Sequence, residues 1–328
     1  MKKILKRTLG GVSIFIVLII LINQVTVSPF IWTFRSLSNM VSEQGNIGPY
    51  DNQISNIKES NKINVAVNGY EDAEITFYHP KIEKDDLPVI IYIHGGGWSS
   101  GNAKSVSSFA KLLASNGYIV ANVDYALAPE NPYPSSTIQL VEVLNYIYEN
   151  AKEYNIDKKN IFIGGNSAGA HLSSQLGAIL SDSQYAKTVG VDIKVPNDSI
   201  KGLLLFNGVY NFDNAEDCNF PFYKKFAWSY TGKKNYKTHS KIDEISTVKH
   251  INENYPPTFI TVGDKDPLES QSLEFAKILK EKGIDNTALF WTGTNVGLNH
   301  DYIYELDTKE AQKSYEMVID FLNEHIDR

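Results

Sequence analysis

From residue 88 onward, short unbroken apolar runs alternate with longer stretches of helical period. Val89-Ile90-Ile91-Tyr92-Ile93 has no charged position, the pattern of a strand covered on both faces. A helix is predicted over roughly Ser105 to Ser115, a strand over Tyr118 to Val123, and a helix around Thr137 to Lys152. In that second helix Leu140, Val143, Leu144 and Ile147 share one face at i, i+3, i+4 and i+7. The rhythm continues with strand Ile161 to Ile163, helix Ala168 to Leu180, and strands Gly202 to Phe206 and Thr258 to Val262. Helix Leu268 to Lys282, strand Thr287 to Trp291 and a terminal helix over Thr308 to Glu324 complete it, with Val318, Phe321 and Leu322 inward. Upstream, Ile63 to Val67 and Ala73 to Tyr78 read as strands joined by the hairpin signal Asn68-Gly69. Strands alternating with helices imply an α/β domain over residues 61 to 328, its sheet mostly parallel and covered on both faces. The early hairpin implies an antiparallel edge.

Three segments break the rhythm. Residues 29 to 60 are polar and irregular and read as a linker or cap segment. Residues 211 to 256 are rich in aromatics and charge, an insertion long enough to form a lid or pocket wall. In the first 28 residues, Lys2, Lys3, Lys6 and Arg7 precede an apolar run from Leu9 to Ile22. Extended to Val27, that run approaches the roughly 20 residues that span a bilayer. It is expected to be an uncleaved signal-anchor, with the basic flank inside and the body outside, in a cell membrane crossed once. The alternative is a cleaved signal and a secreted body.

Composition narrows the class further. The formal charge is −7, yet residues 1 to 36 hold five basic residues and no acidic one, so the body is more acidic than the total. That argues against nucleic acid as a partner. The single cysteine, Cys218, excludes an internal disulfide and a cysteine zinc cluster.

The chemistry concentrates in two glycine-rich turns. Gly165-Asn166-Ser167-Ala168-Gly169 stands between a strand and a helix, with serine at the apex. A sharp turn lifts the hydroxyl out of the sheet, and small neighbours let the chain turn. His94-Gly95-Gly96-Gly97-Trp98 follows the buried strand. Three glycines there let backbone N–H groups of Gly96 and Gly97 point into a cavity. Such donors stabilise an oxyanion, and losing one costs about 2.7–4 kcal/mol of transition-state stabilisation. After a nucleophile at Ser167, the Ala168 N–H would join them.

These residues resemble the hormone-sensitive-lipase-like esterases of the α/β-hydrolase superfamily. The resemblance covers roughly Leu87 to the C-terminus and includes Asp124-Tyr125-Ala126-Leu127-Ala128-Pro129-Glu130 and Asp266-Pro267-Leu268. It implies an α/β-hydrolase fold with a small cap. It also implies a triad in the chain order serine, acid, histidine. Asp264 and Asp266 both follow the strand Thr258 to Val262; the resemblance favours Asp266, with Asp264 as runner-up. Only His300 and His325 lie beyond them. His300 sits in a loop, as a base reaching the serine must, whereas His325 ends an amphipathic helix. His94 is expected to brace the glycine loop and His171 to pack on the elbow helix. His79, His239 and His250 read as surface or capping residues. The chain departs from the family pattern at Asn166, where aspartate is frequent, and at Asp301-Tyr302 after the histidine.

The expected function is a serine carboxylesterase acting on short-acyl esters through an acyl-enzyme. Its partner is a small-molecule ester, and it needs no metal or organic cofactor. Trp98, Phe222 and Trp228 are candidate walls of the acyl pocket. A peptidase or amidase with the same triad and a non-catalytic surface binding protein are the competing readings. The sequence assigns no oligomeric state.

Overall fold

The computed structural model describes residues 24–41, 46–82 and 85–327. The predicted signal-anchor run, Leu9 to Ile22, lies outside them. Among the described residues, no helix is long and apolar enough to cross a membrane.

One sheet organises the chain. Its strands are β1 (Lys58–Glu59), β2 (Ile63–Val65), β3 (Ala73–His79), β4 (Leu87–Ile93), β5 (Ile119–Asp124), β6 (Ile156–Asn166), β7 (Ile200–Phe206), β8 (Thr258–Val262) and β9 (Asn286–Phe290). The order is β1-β3-β5-β4-β6-β7-β8-β9, with β2 paired to β3 outside this path. Pairing is parallel from β5 through β9 and antiparallel where β3 meets β1, β2 and β5. The antiparallel edge is as expected, but its hairpin is wider. The β2–β3 ladder closes at Val65↔Ala73, so Asn68-Gly69 sits inside a longer loop rather than forming a two-residue turn.

The central strands are apolar on both faces because both faces are covered. Val89, Ile91 and Ile93 of β4 are fully buried in one core with Leu203, Leu205 and Ile260. Helices α3 (Ser135–Glu149), α4 (Ala168–Ser181) and α7 (Glu269–Glu281) cover that side through Leu144, Leu176 and Phe275. Ile90 and Tyr92 point the other way, into a core with Phe162, Phe206 and Phe259. Helices α2 (Ser107–Ala114) and α8 (Lys309–Glu324) cover it through Phe109 and Phe321. A short helix, α5 (Ser183–Val189), follows α4, and its N-terminus is capped by the Asp182 carboxylate.

The described part of residues 29 to 60 is more ordered than its polarity suggested. They include helix α1 (Ser28–Val41), a single helical turn at Asp51–Ile54, and β1. Val27 and Ile31 are buried in the main core. Phe30 and Phe34 meet the insertion, whose one longer helix is α6 (Tyr223–Thr231). The Phe34 and Phe226 rings lie edge to face at 5.0 Å, and Phe30 and Phe222 lie 5.2 Å apart. α1 and α6 thus form one aromatic-cemented wall.

Candidate active site

The site lies at the C-terminal ends of the parallel strands. Asn166 ends β6 and Ala168 begins α4, leaving Ser167 alone at the apex with φ 53° and ψ −118°. A non-glycine residue in that conformation is strained, and strain of this kind concentrates at functional sites. The tightness of the turn explains its flanking glycines. A Cβ at Gly165 or Gly169 would stand 2.1 or 2.0 Å from the Ile93 carbonyl oxygen, so only glycine lets the elbow press onto β4. The Ser167 N–H donates to the Phe206 carbonyl at 2.8 Å, fixing the apex to β7.

The glycine loop after β4 folds beside this apex. Gly96 and Gly97 have φ of 115° and 59°. Among the described residues their N–H groups take no protein partner, as donors reserved for a ligand would. Ala168 is the first residue of α4, where N–H groups lack an intrahelical acceptor. His94 braces the loop from beneath, as expected. It is buried, its Nδ1 lies 2.7 Å from the Gly95 carbonyl oxygen, and its ring stacks on Tyr125 at 4.4 Å. His171 is equally structural. Its Nδ1 accepts from Trp98 Nε1 at 3.1 Å, and its Nε2 donates to the Ile245 carbonyl at 2.9 Å. Burial lowers its pKa to about 4, so the ring is neutral.

Of the two candidate acids, Asp266 meets the histidine. His300 Nδ1 lies 2.8 Å from Asp266 Oδ2. Asp266 is buried and also accepts from the Leu268 N–H at 2.8 Å and from Asn207 Nδ2. Asp264 instead accepts from the backbone N–H groups of Gly297 and Leu298, at 3.0 and 2.7 Å, and so shapes the loop that carries His300. A carboxylate can only accept, so in the neutral ring the His300 hydrogen sits on Nδ1 and Nε2 is the nitrogen that takes a proton. Burial works to lower the His300 pKa. The neighbouring carboxylates, Asp301 and then Asp266, outweigh burial and lift it to about 9. His325, the other late histidine, bonds Phe321 and Asp285 far down α8.

Ser167, His300, Gly96 and Gly97 open onto one cavity of about 520 Å³. Phe34 and Ser38 of α1 line it, with Phe220, Phe226, Asp301, Tyr304 and Glu305. A second, much smaller space of about 10 Å³ adjoins Ser167 and Ala168, walled by Trp98, Tyr223, Phe226 and Leu268 among others. Trp98 is therefore at the site, buried and stacked on Tyr230 at 4.6 Å. Phe222 and Trp228 do not line either space. Phe222 is 59% exposed on the outer side of the α1–α6 wall. Trp228 packs under the side chains of Lys225 and Lys234. The aromatic walls are instead Phe220, whose ring meets His300 edge-on at 4.9 Å, and Phe226. The i, i+4 pair Phe30 and Phe34 was the one sequence signal that residues 29 to 60 join them. The cluster of His, Cys, Asp and Glu needed to hold a metal ion does not occur among the described residues.

Comparison with known proteins agrees with this fold. The BD-FAE family model matches residues 75–279, more than half of the chain. The chain belongs to the BD-FAE family. It is 29% identical to Carboxylesterase NlhH of Mycobacterium tuberculosis over 67% of this chain and 69% of that protein. It is 28% identical to an esterase of Gibberella moniliformis over 67% and 70% of the two chains. Two solved structures share the fold. The bacterial heroin esterase has a TM-score of 0.72 at 22% identity, covering 90% of each chain. Esterase B from Lactobacillus rhamnosis has a TM-score of 0.77 at 17% identity, covering 91% of this chain and 95% of that one. The expected fold, family likeness and enzyme class, a carboxylic ester hydrolase, are all borne out.

Proposed function

We propose that Ser167, His300 and Asp266 hydrolyse short-acyl carboxylic esters through an acyl-enzyme. Ser167 Oγ attacks the ester carbonyl while His300 Nε2 takes its proton. The oxyanion accepts hydrogen bonds from the N–H groups of Gly96, Gly97 and Ala168. His300 then protonates the leaving alkoxide, and water reverses the sequence to free the acid. Asp266 holds the imidazole in the Nδ1–H tautomer and stabilises the imidazolium. The observation that best supports this is the part-buried Asp266–His300 bond at 2.8 Å beside a cavity that Ser167 also lines.

The two spaces support a division of the substrate. The small one has about 10 Å³ for its occupant. That is about enough for one water or one methyl group, which suits acetyl and little larger. The open cavity of about 520 Å³ would take the alcohol part. The basic flank and apolar run at the N-terminus support a body tethered outside a membrane, with secretion after cleavage as the alternative.

A chain-length series of p-nitrophenyl esters tests the reaction. Turnover is expected to be highest for acetate, to fall steadily toward octanoate, and to drop by orders of magnitude in Ser167→Ala. Equal rates for Ser167→Ala and the parent chain would overturn the nucleophile. A rate rising toward octanoate would overturn the acyl assignment alone.

A further inference from the structure

We propose that Asp301 is a positioning residue of this reaction: a second carboxylate, tethered by Asn166, that faces the reacting nitrogen of His300 and couples the base to the oxyanion loop. The inference rests on the assignment of Ser167 and His300 made above.

The two places where the sequence departs from its family pattern turn out to touch. Asn166 Nδ2 donates to Asp301 Oδ1 at 2.9 Å, and Asn166 Oδ1 accepts from the Gly95 N–H at 2.9 Å. These partners dictate which end of the amide is oxygen. A backbone N–H requires an acceptor and a carboxylate requires a donor, and only an amide offers both. An aspartate at 166 would serve Gly95 but set two carboxylates against each other. Asn166 and Asp301 are therefore a matched pair. Asp301 is also held by its backbone, at φ 63°, as the residue preceding the helical turn Tyr302–Tyr304.

The tether leaves the other carboxylate oxygen pointing at the base. Asp301 Oδ2 stands 3.8 Å from His300 Nε2. That is too long for a hydrogen bond but close enough for a strong charge interaction. Asp266 already occupies Nδ1, so Asp301 addresses the nitrogen that receives the Ser167 proton and later releases it to the leaving group. When that proton arrives, the imidazolium lies between two carboxylates. The remaining surroundings do not cancel this field. Glu305 is the other acidic group on the cavity wall, Phe220 covers a ring edge, and no lysine or arginine lines the cavity among the described residues. Asp301 thus favours the protonated base in the transition state. It also keeps the resting base protonated to higher pH, in line with the pKa of about 9 at His300. Through Asn166 it fixes where the Gly95 turn stands relative to the imidazole.

The experiment is kcat/KM for phenyl acetate across about pH 5 to 10, corrected for uncatalysed hydrolysis, with the full chain. The unmodified enzyme is expected to rise with pH toward a limb near the pKa of about 9. Asp301→Asn keeps the shape and removes the charge. Its limb is expected to move to lower pH by about one unit or more, with a lower plateau. Asp301→Glu should return the limb toward the parent position. Asn166→Ala, which frees Asp301 without removing it, should move the limb part of the way. A purely structural role would lower the plateau and leave the limb in place. Coincident limbs for Asp301→Asn and the parent overturn the proposal; if Asp301→Asn does not fold, a coincident limb for Asn166→Ala does so. Ser167→Ala in the same series separates the two failures: activity retained there overturns the parent assignment, whereas an inactive Ser167→Ala with coincident limbs overturns Asp301 alone.

Discussion

At the scale of single residues, two histidines in this site, one buried and one half-buried, are set in opposite directions by their partners. His300 faces carboxylates and is held toward the charged form. His171 faces Trp98 Nε1 and a backbone carbonyl, has no carboxylate, and is held neutral by burial. A histidine with pKa about 4 when folded and about 6.5 when unfolded binds its proton only in the unfolded chain between those values. Its contribution to stability is therefore complete above about pH 6.5 and is lost as pH falls toward 4, a loss of about 3 kcal/mol. His171→Gln offers the same acceptor and donor without a titrating group. Thermal unfolding at pH 7 and pH 4.5 is expected to show a smaller acid-induced drop in Tm for His171→Gln than for the parent chain. Equal drops would show that another group governs acid lability. The meeting of Asp266 with His300 beside the cavity that Ser167 lines was legible because the fold fixes their order along the chain. The pairing of Asn166 with Asp301 was not, since it joins residues 135 positions apart by one side-chain amide.

At the scale of elements, α1 shows what local pattern cannot carry. Strand β4 and the inner parts of β6 (161–163) and β7 (202–206) were readable because burial on both faces leaves an uncharged, mostly apolar run. In α1 the inward-packing residues are few, Phe30, Ile31 and Phe34 with Val27 just before the helix, and the aromatic surface they meet lies almost two hundred residues away in α6. Its seating depends on Arg35. That guanidinium donates to the Ser99 carbonyl at 2.8 Å, to the Ala128 carbonyl at 2.9 Å, and to both carboxylate oxygens of Glu130. One side chain thus fastens α1 to the oxyanion loop and to the Asp124–Glu130 loop together. The ion pair is partly exposed and contributes at most about 1 kcal/mol by itself. The two bonds to backbone carbonyls depend on the planar fork, which lysine lacks. Arg35→Lys is expected to loosen the wall that Phe34 and Ser38 present to the cavity. KM for a bulky-alcohol acetate should rise severalfold while kcat changes little, as for lost uniform binding. An unchanged KM would mean that α1 does not hold the alcohol part.

At the scale of the whole molecule, the site and the start of the described chain lie at one end. Gly96, Ser167, Asp266 and His300 each follow the C-terminal end of a parallel strand, and α1 packs over that same end. From Ser28 to Phe34 is only about 9 Å along a helix, so the chain enters α1 close to the cavity mouth. The basic flank and apolar run precede that entry directly in sequence. Tethered there, the enzyme would hold its cavity near a membrane surface and sample esters presented at or just outside it. Cell fractionation of the full chain and of a form lacking residues 1 to 23 tests this. The full chain is expected in the membrane fraction, with its body cut by protease added outside intact cells. The shortened form is expected to be soluble, with the turnover of the full chain on a water-soluble acetate. A full chain found free in the medium would support cleavage of the segment instead. A body protected from external protease would overturn the outward orientation, while leaving the chemistry at Ser167 untouched.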